Sequence, residues 1–187
     1  LFSDFQKFFH VFIPFKKLKI LTIIVKIDII CIKKEEYIMP VMVGGVIEKD
    51  GKFLLVQEAK ENCKGKWNLP AGHLEINETL FDGAKREIFE ETGCNVELTG
   101  LLQISHRVFE DKLFVGFMFL AKMIDEHIDF NENEILNVKW FSFEELIDMK
   151  DDLRLYYWII HAIKAYKDNK IMDLNTIKMD KDIMNID

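Results

Sequence analysis

Cysteine is scarce. There are three in 187 residues, Cys31, Cys63 and Cys94. None forms a CxxC pair and three cannot all pair, which argues against a zinc site and against a disulfide framework. The expectation is free, mostly buried thiols in a reducing cytoplasm. An excess of basic charge is also missing. The formal net charge is −7, which excludes a broad grip on a nucleic-acid polymer. A small anionic substrate stays open, because bound metal ions can supply local positive charge. Long apolar runs are missing too. In the front segment the longest central one is Ile20–Val25, soon followed by Lys26 and Asp28. A spanning helix needs about 20 mostly apolar residues, and a signal peptide needs a cleaner run and a small-residue cleavage site. No membrane partner is therefore expected. There is no internal repeat.

What is present suits one soluble domain: 49% hydrophobic and 30% charged residues, enough for a sizeable core and a polar surface. The front stretch, residues 1–38, differs from the rest. It holds seven lysines and four acids, leaving 18 basic and 28 acidic residues for the remainder. Lys34-Glu35-Glu36 can be encoded as a purine-rich ribosome-binding sequence, about one ribosomal spacing ahead of Met39. The expectation is a natural start at Met39, with residues 1–38 a non-native extension, a domain over 39–168 and a polar, frayed tail over 169–187.

From Met39 onward the pattern alternates between strands and helices. Val41–Glu48 and Lys52–Gln57 are apolar runs around Asp50-Gly51, which predicts a β-hairpin. Thr79 is placed as an N-cap with Asp82 as the capping-box acid, for a helix from about Leu80 to Thr92 stopped by Gly93. Val96–Ser105, Arg107–Glu110, Lys112–Lys122 and Val138–Phe141 read as strands. Ser142 with Glu145 is a second capping box, for a helix over Phe143–Met149, and a longer helix is expected over about Asp152–Lys167. The order points to an α/β (α+β) fold, a mixed sheet packed between helices.

The chemistry concentrates between Gly72 and Cys94. At ~100° per residue, Glu87, Glu90 and Glu91 fall within roughly a 100° arc of one helix. Like charges at these spacings each cost a few tenths of a kcal/mol, and this face has no lysine mixed in. Such a set of hard oxygens suits magnesium, which keeps several waters. Gly83 lies on the same arc, where its missing side chain leaves room for metal, water or phosphate. Arg86 stands beside the acids, able to orient a glutamate and hold down its pKa. Ala84, Ile88 and Phe81 form the opposite, core-facing arc.

Read whole, this stretch resembles the Nudix box. That pattern is Gly, five residues, Glu, seven residues, Arg-Glu, an aliphatic, any residue, Glu-Glu, any residue, Gly and an aliphatic. Gly72, Glu78, Arg86, Glu87, Ile88, Glu90, Glu91 and Gly93 fill it, and Cys94 departs only at the last place. Trp67–Gly72 before the box and Lys139-Trp140-Phe141 after it are similar to the rest of the family. The resemblance implies a Nudix-type α/β/α sandwich and a hydrolase that uses Mg2+ or Mn2+. It implies Glu87, Glu91 and Glu90 as metal ligands with the Gly72 carbonyl as a further one, Arg86 as orienting residue, and Glu78 as closing the loop by hydrogen bonds. The base would be a box glutamate or an acid of the later loop, Glu132 or Glu134. His106 and Arg107 are candidates for contact with substrate phosphate or base. Phe109, Phe114, Phe117 and Phe119 are assigned to packing.

The run Pro70–Glu75 followed by Glu78-Thr79-Leu80 is similar to the NudJ-type phosphatases, which act on nucleoside di- and triphosphates and a pyrimidine pyrophosphate. A MutT-like enzyme sanitising oxidised nucleoside triphosphates shares the same box. From another class, a catalytically silent nucleotide sensor or partner-binding module shares the fold. The expected partner is a small nucleotide-like diphosphate, with a homodimer left open.

Overall fold

The structure, a computed structural model, describes residues 40–109, 112–125 and 127–178. The front segment with Cys31, the start at Met39, the Glu110–Asp111 turn and residues 179–187 lie outside the described residues. Strands β1 (Val41–Lys49) and β2 (Lys52–Glu58) form the expected hairpin. Asp50 and Gly51 both take positive φ, 52° and 75°, the backbone twist that a two-residue hairpin requires. Short strands β3 (Trp67–Asn68) and β4 (Ala71–His73) precede helix α1 (Leu80–Thr92). Strands β5 (Val96–Phe109), β6 (Lys112–Met123) and β7 (Ile135–Ser142) follow, then helices α2 (Phe143–Asp148) and α3 (Tyr156–Lys167). The sheet order is β3-β2-β1-β6-β5, with β4 against β1 and β7 against β2. It is mixed: β1 runs parallel to β6 and antiparallel to β4.

Alternation along the strands builds two cores. Val43, Ile47, Leu54 and Phe119 point to α1, where they meet Ala84 and Ile88. Val46, Phe53, Leu55 and Met118 point the other way, to Leu146 of α2 and Ile159 and Ile163 of α3. A period-2 pattern buried on both faces demands helices on both sides, and the α/β/α sandwich follows. Among the described residues no helix is long and apolar enough to cross a membrane. Cys63 and Cys94 are buried free thiols, each pushed up in pKa mainly by burial.

Three expectations need correction. β5 is one continuous strand, not two, with register shifts at Leu98/Gly100 and Leu101/Gln103 that absorb its irregular pattern. Helix α3 begins at Tyr156 rather than Asp152, because Leu153 pairs as a bridge with Trp67. The tail is not frayed as far as Lys178: Met172 and Leu101 exchange both backbone hydrogen bonds at 2.9 Å. A 3-10 turn, Leu174–Thr176, follows, capped by Asp173. Tertiary pairing overrides local polarity in the last two cases.

Helix α1 begins and ends where expected, but its capping box is not closed: the Asp82 carboxylate accepts the Thr79 hydroxyl at 2.6 Å in place of the Thr79 N–H. The Asp82 N–H donates to Thr79 Oγ at 3.1 Å, and Gly93 closes the helix with φ 73°. A Cβ at Gly93 would stand 2.5 Å from the Asp129 carbonyl. Gly93→Ala is therefore expected to cost more than about 1 kcal/mol, from both left-handed strain and overlap. Urea unfolding checks this, with a lowered midpoint and an unchanged slope.

Candidate active site

Helix α1 carries its acids where helix electrostatics least favour them. Glu90 and Glu91 lie in the last turn, which holds no basic residue, and carboxylates at a helix C-terminus oppose the macrodipole. The local cost is met by contacts from elsewhere in the chain. Arg86 is the hub. Its Nε and Nη2 fork onto the two oxygens of Glu78 at 2.5 and 2.9 Å. Its Nη1 donates to Glu87 Oε1 at 2.8 Å and to Glu90 Oε2 at 2.9 Å. Nη2 also donates to the His73 carbonyl at 3.0 Å. One guanidinium thus ties the loop before α1 to two of its glutamates. The planar fork makes arginine hard to replace.

The three acids differ in environment. The Glu91 side chain is buried, 6% exposed, and its Oε2 accepts the Ala71 N–H at 2.9 Å. Burial drives its pKa up to about 8; the Ala71 N–H opposes the rise, and the charges of Glu58 and Glu87 add to it. The Glu87 side chain is also largely enclosed, 12% exposed. Its pKa is raised by burial, which outweighs the lowering by Arg86. The carboxyl that Arg86 does hold low is Glu78. Glu78 Oε2 also accepts the Glu75 N–H at 3.1 Å, so this residue closes the loop. Glu90 is the open member, with 52% of its side chain exposed.

Two glycines permit this packing. Gly72 lies in β4 opposite Val43, and a Cβ there would overlap the Glu87 carboxylate. The missing side chain lets the carboxylate rest on the main chain. Gly83 works differently from expectation. Its space is filled by Leu74, whose Cδ1 would stand 2.7 Å from an added Cβ, and by Glu78 Oε2 at 3.0 Å. It accommodates the loop, not metal or phosphate.

The donor chemistry fits a hard divalent cation. Two enclosed carboxylates with raised pKa face a strand main chain, and a cation would relieve their charge. Among the described residues no three His, Cys, Asp or Glu side chains form a ready metal cage.

The remaining candidates lie on other elements. His106 and Arg107 sit exposed on β5, paired with Val115 and Phe114. Glu132 and Glu134 are exposed in the 131–134 turn, whose Glu134 carbonyl accepts the Ala59 N–H at 3.0 Å. Phe119 is fully buried and meets Phe81 edge-on at 5.6 Å, with Phe117 packed on the same core. Sequence reasoning missed Ala71, whose backbone N–H is the Glu91 anchor; a main-chain donor leaves no residue-type signal. It also missed buried Glu58 and its partner Arg154. An acid ending an apolar strand was the available clue to Glu58.

Because Arg86 engages three acids, Arg86→Lys is expected to lose about tenfold in kcat: lysine keeps the charge but cannot hold the fork. Steady-state kinetics on a substrate found active for the wild type would check it.

Comparison with known proteins agrees with this geometry. The NUDIX domain model matches residues 39–161. The chain is 37% identical over 111 residues to Phosphatase NudJ of Escherichia coli (strain K12), covering 57% of this chain and 71% of that protein. Among solved structures, a NUDIX hydrolase from Nitrosomonas europaea aligns with a TM-score of 0.68 at 29% identity, over 75% of this chain and 96% of that one. A second Nitrosomonas europaea NUDIX hydrolase aligns with a TM-score of 0.58 at 34% identity, over 70% and 71% of the two chains. The family match over most of the chain and the acidic helix it contains lead to one assignment: this chain belongs to the Nudix family and is a Nudix hydrolase.

Proposed function

We propose that the enzyme cleaves a phosphoric anhydride bond in a nucleoside di- or triphosphate, or in another nucleoside diphosphate linked to a second group. In this reading Glu87, Glu91 and the Gly72 carbonyl hold magnesium or manganese, with Glu90 as the outer ligand. The observation that carries it is the enclosed carboxylate pair: Glu91 fixed by the Ala71 N–H at 2.9 Å and Glu87 laid against Gly72. A bound divalent ion supplies charge neutralisation on the diphosphate and an acidified water.

The chain's own residues supply the order. Arg86 fixes the rotamers of Glu87 and Glu90 from one side, and Glu78 holds Arg86 in place through both oxygens. Such preorganisation means the acids need not reorient when charge develops at phosphorus. The general base is an acid of α1 or of the 131–134 turn. Glu132→Gln and Glu134→Gln separate these: a kcat loss of about 10²-fold in either assigns the base to the turn. Unchanged kcat in both assigns it to α1.

Membership in the Nudix family and the 37% identity to a protein named a phosphatase support hydrolysis at a phosphoryl group. The test is a screen with magnesium and with manganese, read by 31P NMR, over nucleoside di- and triphosphates, oxidised nucleoside triphosphates, dinucleotides, nucleoside diphosphate sugars and pyrimidine pyrophosphates. Metal-dependent release of phosphate or pyrophosphate is expected. A strong preference for oxidised dGTP would move the reading to a sanitising enzyme. No turnover of any anhydride by the folded protein would reject the proposal.

A further inference from the structure

A second polar cluster, buried at the foot of the site, is unused by the chemistry above. Glu58 ends β2 and is 1% exposed. Burying a carboxylate costs several kcal/mol unless it is paired. Its partner is Arg154 Nη1, 2.5 Å from Oε1, supplied by a stretch 96 residues further along the chain. The same oxygen accepts the Asn68 Nδ2 at 3.2 Å, and Asn68 is also 1% exposed. The backbone around Arg154 is engaged as well. The Trp67 N–H donates to the Asp152 carbonyl at 2.8 Å, and the Arg154 N–H donates to the Trp67 carbonyl at 2.9 Å. Residues 152–154 therefore form the outer rung of β3, whose other edge pairs with Val56 and Gln57 of β2. Leu153, 5% exposed, and the edge-on pair of Trp67 with Phe141 at 4.8 Å pack the same junction.

What β3 leads into matters more than β3 itself. Two residues beyond Asn68, the Pro70 carbonyl accepts the Gly45 N–H at 3.1 Å. Ala71 then donates to Glu91, and Gly72 passes under Glu87. A two-residue strand has little register of its own, and a one-residue slip reverses every side chain. Asn68 pairs with Val56, two residues from Glu58, so the two side chains share one face of the sheet and their contact belongs to this register; Arg154 holds Glu58 there.

We infer that Arg154, acting through Glu58, is a positioning residue: it sets the register of Trp67–Asn68 and so places Ala71 and Gly72 against Glu91 and Glu87. Its effect on turnover rests on the function proposed above; its effect on backbone placement does not. A register shift that moves the Ala71 donor by about 1 Å is enough to cost an active site 10- to 100-fold.

The test separates placement from folding. Arg154→Met alone strands a buried charge and can unfold the chain, so the deciding variant is Glu58→Gln with Arg154→Met, which leaves no charge unpaired. Amide hydrogen exchange at Ala71 is read by NMR, with Phe119 in the central sheet as internal reference. Ala71 is expected to exchange at least about tenfold faster in the double variant, with Phe119 little changed. kcat is expected to fall about tenfold with KM within about twofold, and Arg154→Lys, which keeps the charge, to recover most of it. An Ala71 amide as protected as in the wild type, or an unchanged kcat, would overturn the inference. A wild-type protein without activity on any substrate would reject the proposed function and leave the Ala71 exchange to decide this point.

Discussion

Glu91→Gln is expected to remove about two to three orders of magnitude from metal-dependent hydrolysis, the scale on which one preorganised electrostatic element acts, and to stabilise the metal-free protein at pH 8. The two effects share one cause. Glu91 is buried, and its pKa is raised from 4.5 to about 8. In the unfolded chain the group loses its proton near its ordinary value; in the fold it keeps the proton until about pH 8. Between those values the native state binds the extra proton, so stability of the metal-free protein falls as pH rises through that window and then levels off. The upper bound on this loss is about 5 kcal/mol. Glutamine never ionises, and its carbonyl can still accept the Ala71 N–H. The variant should therefore decline less than the wild type between pH 5 and 8, keeping only the part due to Glu87, whose pKa is also raised by burial. A wild-type midpoint that is flat or rises over this range in chelator would contradict the assigned burial.

The second large effect is expected at a residue with no side chain. Gly72→Ala puts a methyl group where the Glu87 carboxylate rests. The strand cannot yield easily, because residues 71–73 pair with β1 on one side and Ala71 is bonded to Glu91. The carboxylate must move, and displacement of a reacting group by about 1 Å costs on the order of 10²-fold. Turnover should fall by about that factor, with little loss of stability, since the displaced glutamate lies at the cleft and not in the apolar core. Paired kinetics and urea unfolding separate the two. Loss of stability large enough to account for the lost activity would show that Gly72 serves the fold alone.

Much of this was readable from residue types. The acids at 87, 90 and 91 announce themselves by helical spacing, and Thr79 and Gly93 bound their helix because capping chemistry is local. The capping box at Ser142 and Glu145 is present with both bonds, 3.2 and 2.7 Å. What escaped was settled at a distance. The start of α3 moved because Leu153 pairs with Trp67, far away in sequence. The role of Gly83 was misjudged because the space beside it belongs to Leu74, on another segment. The helical arc placed the three glutamates together, yet it could not tell that Glu91 would be buried, Glu87 enclosed and Glu90 open. Those differences come from β4 and Arg86 closing over one side of the helix.

Glu87 and Glu91 are proposed to hold a divalent ion beside the Gly72 strand. Manganese binding to the substrate-free protein, followed by electron paramagnetic resonance, tests it directly. The wild type should bind, and bind more tightly at pH 8 than at pH 6, because the metal displaces the Glu91 proton. Glu87→Gln with Glu91→Gln should lose at least about tenfold in affinity and most of that pH dependence. Equal manganese affinity in the wild type and the folded double variant would contradict the account.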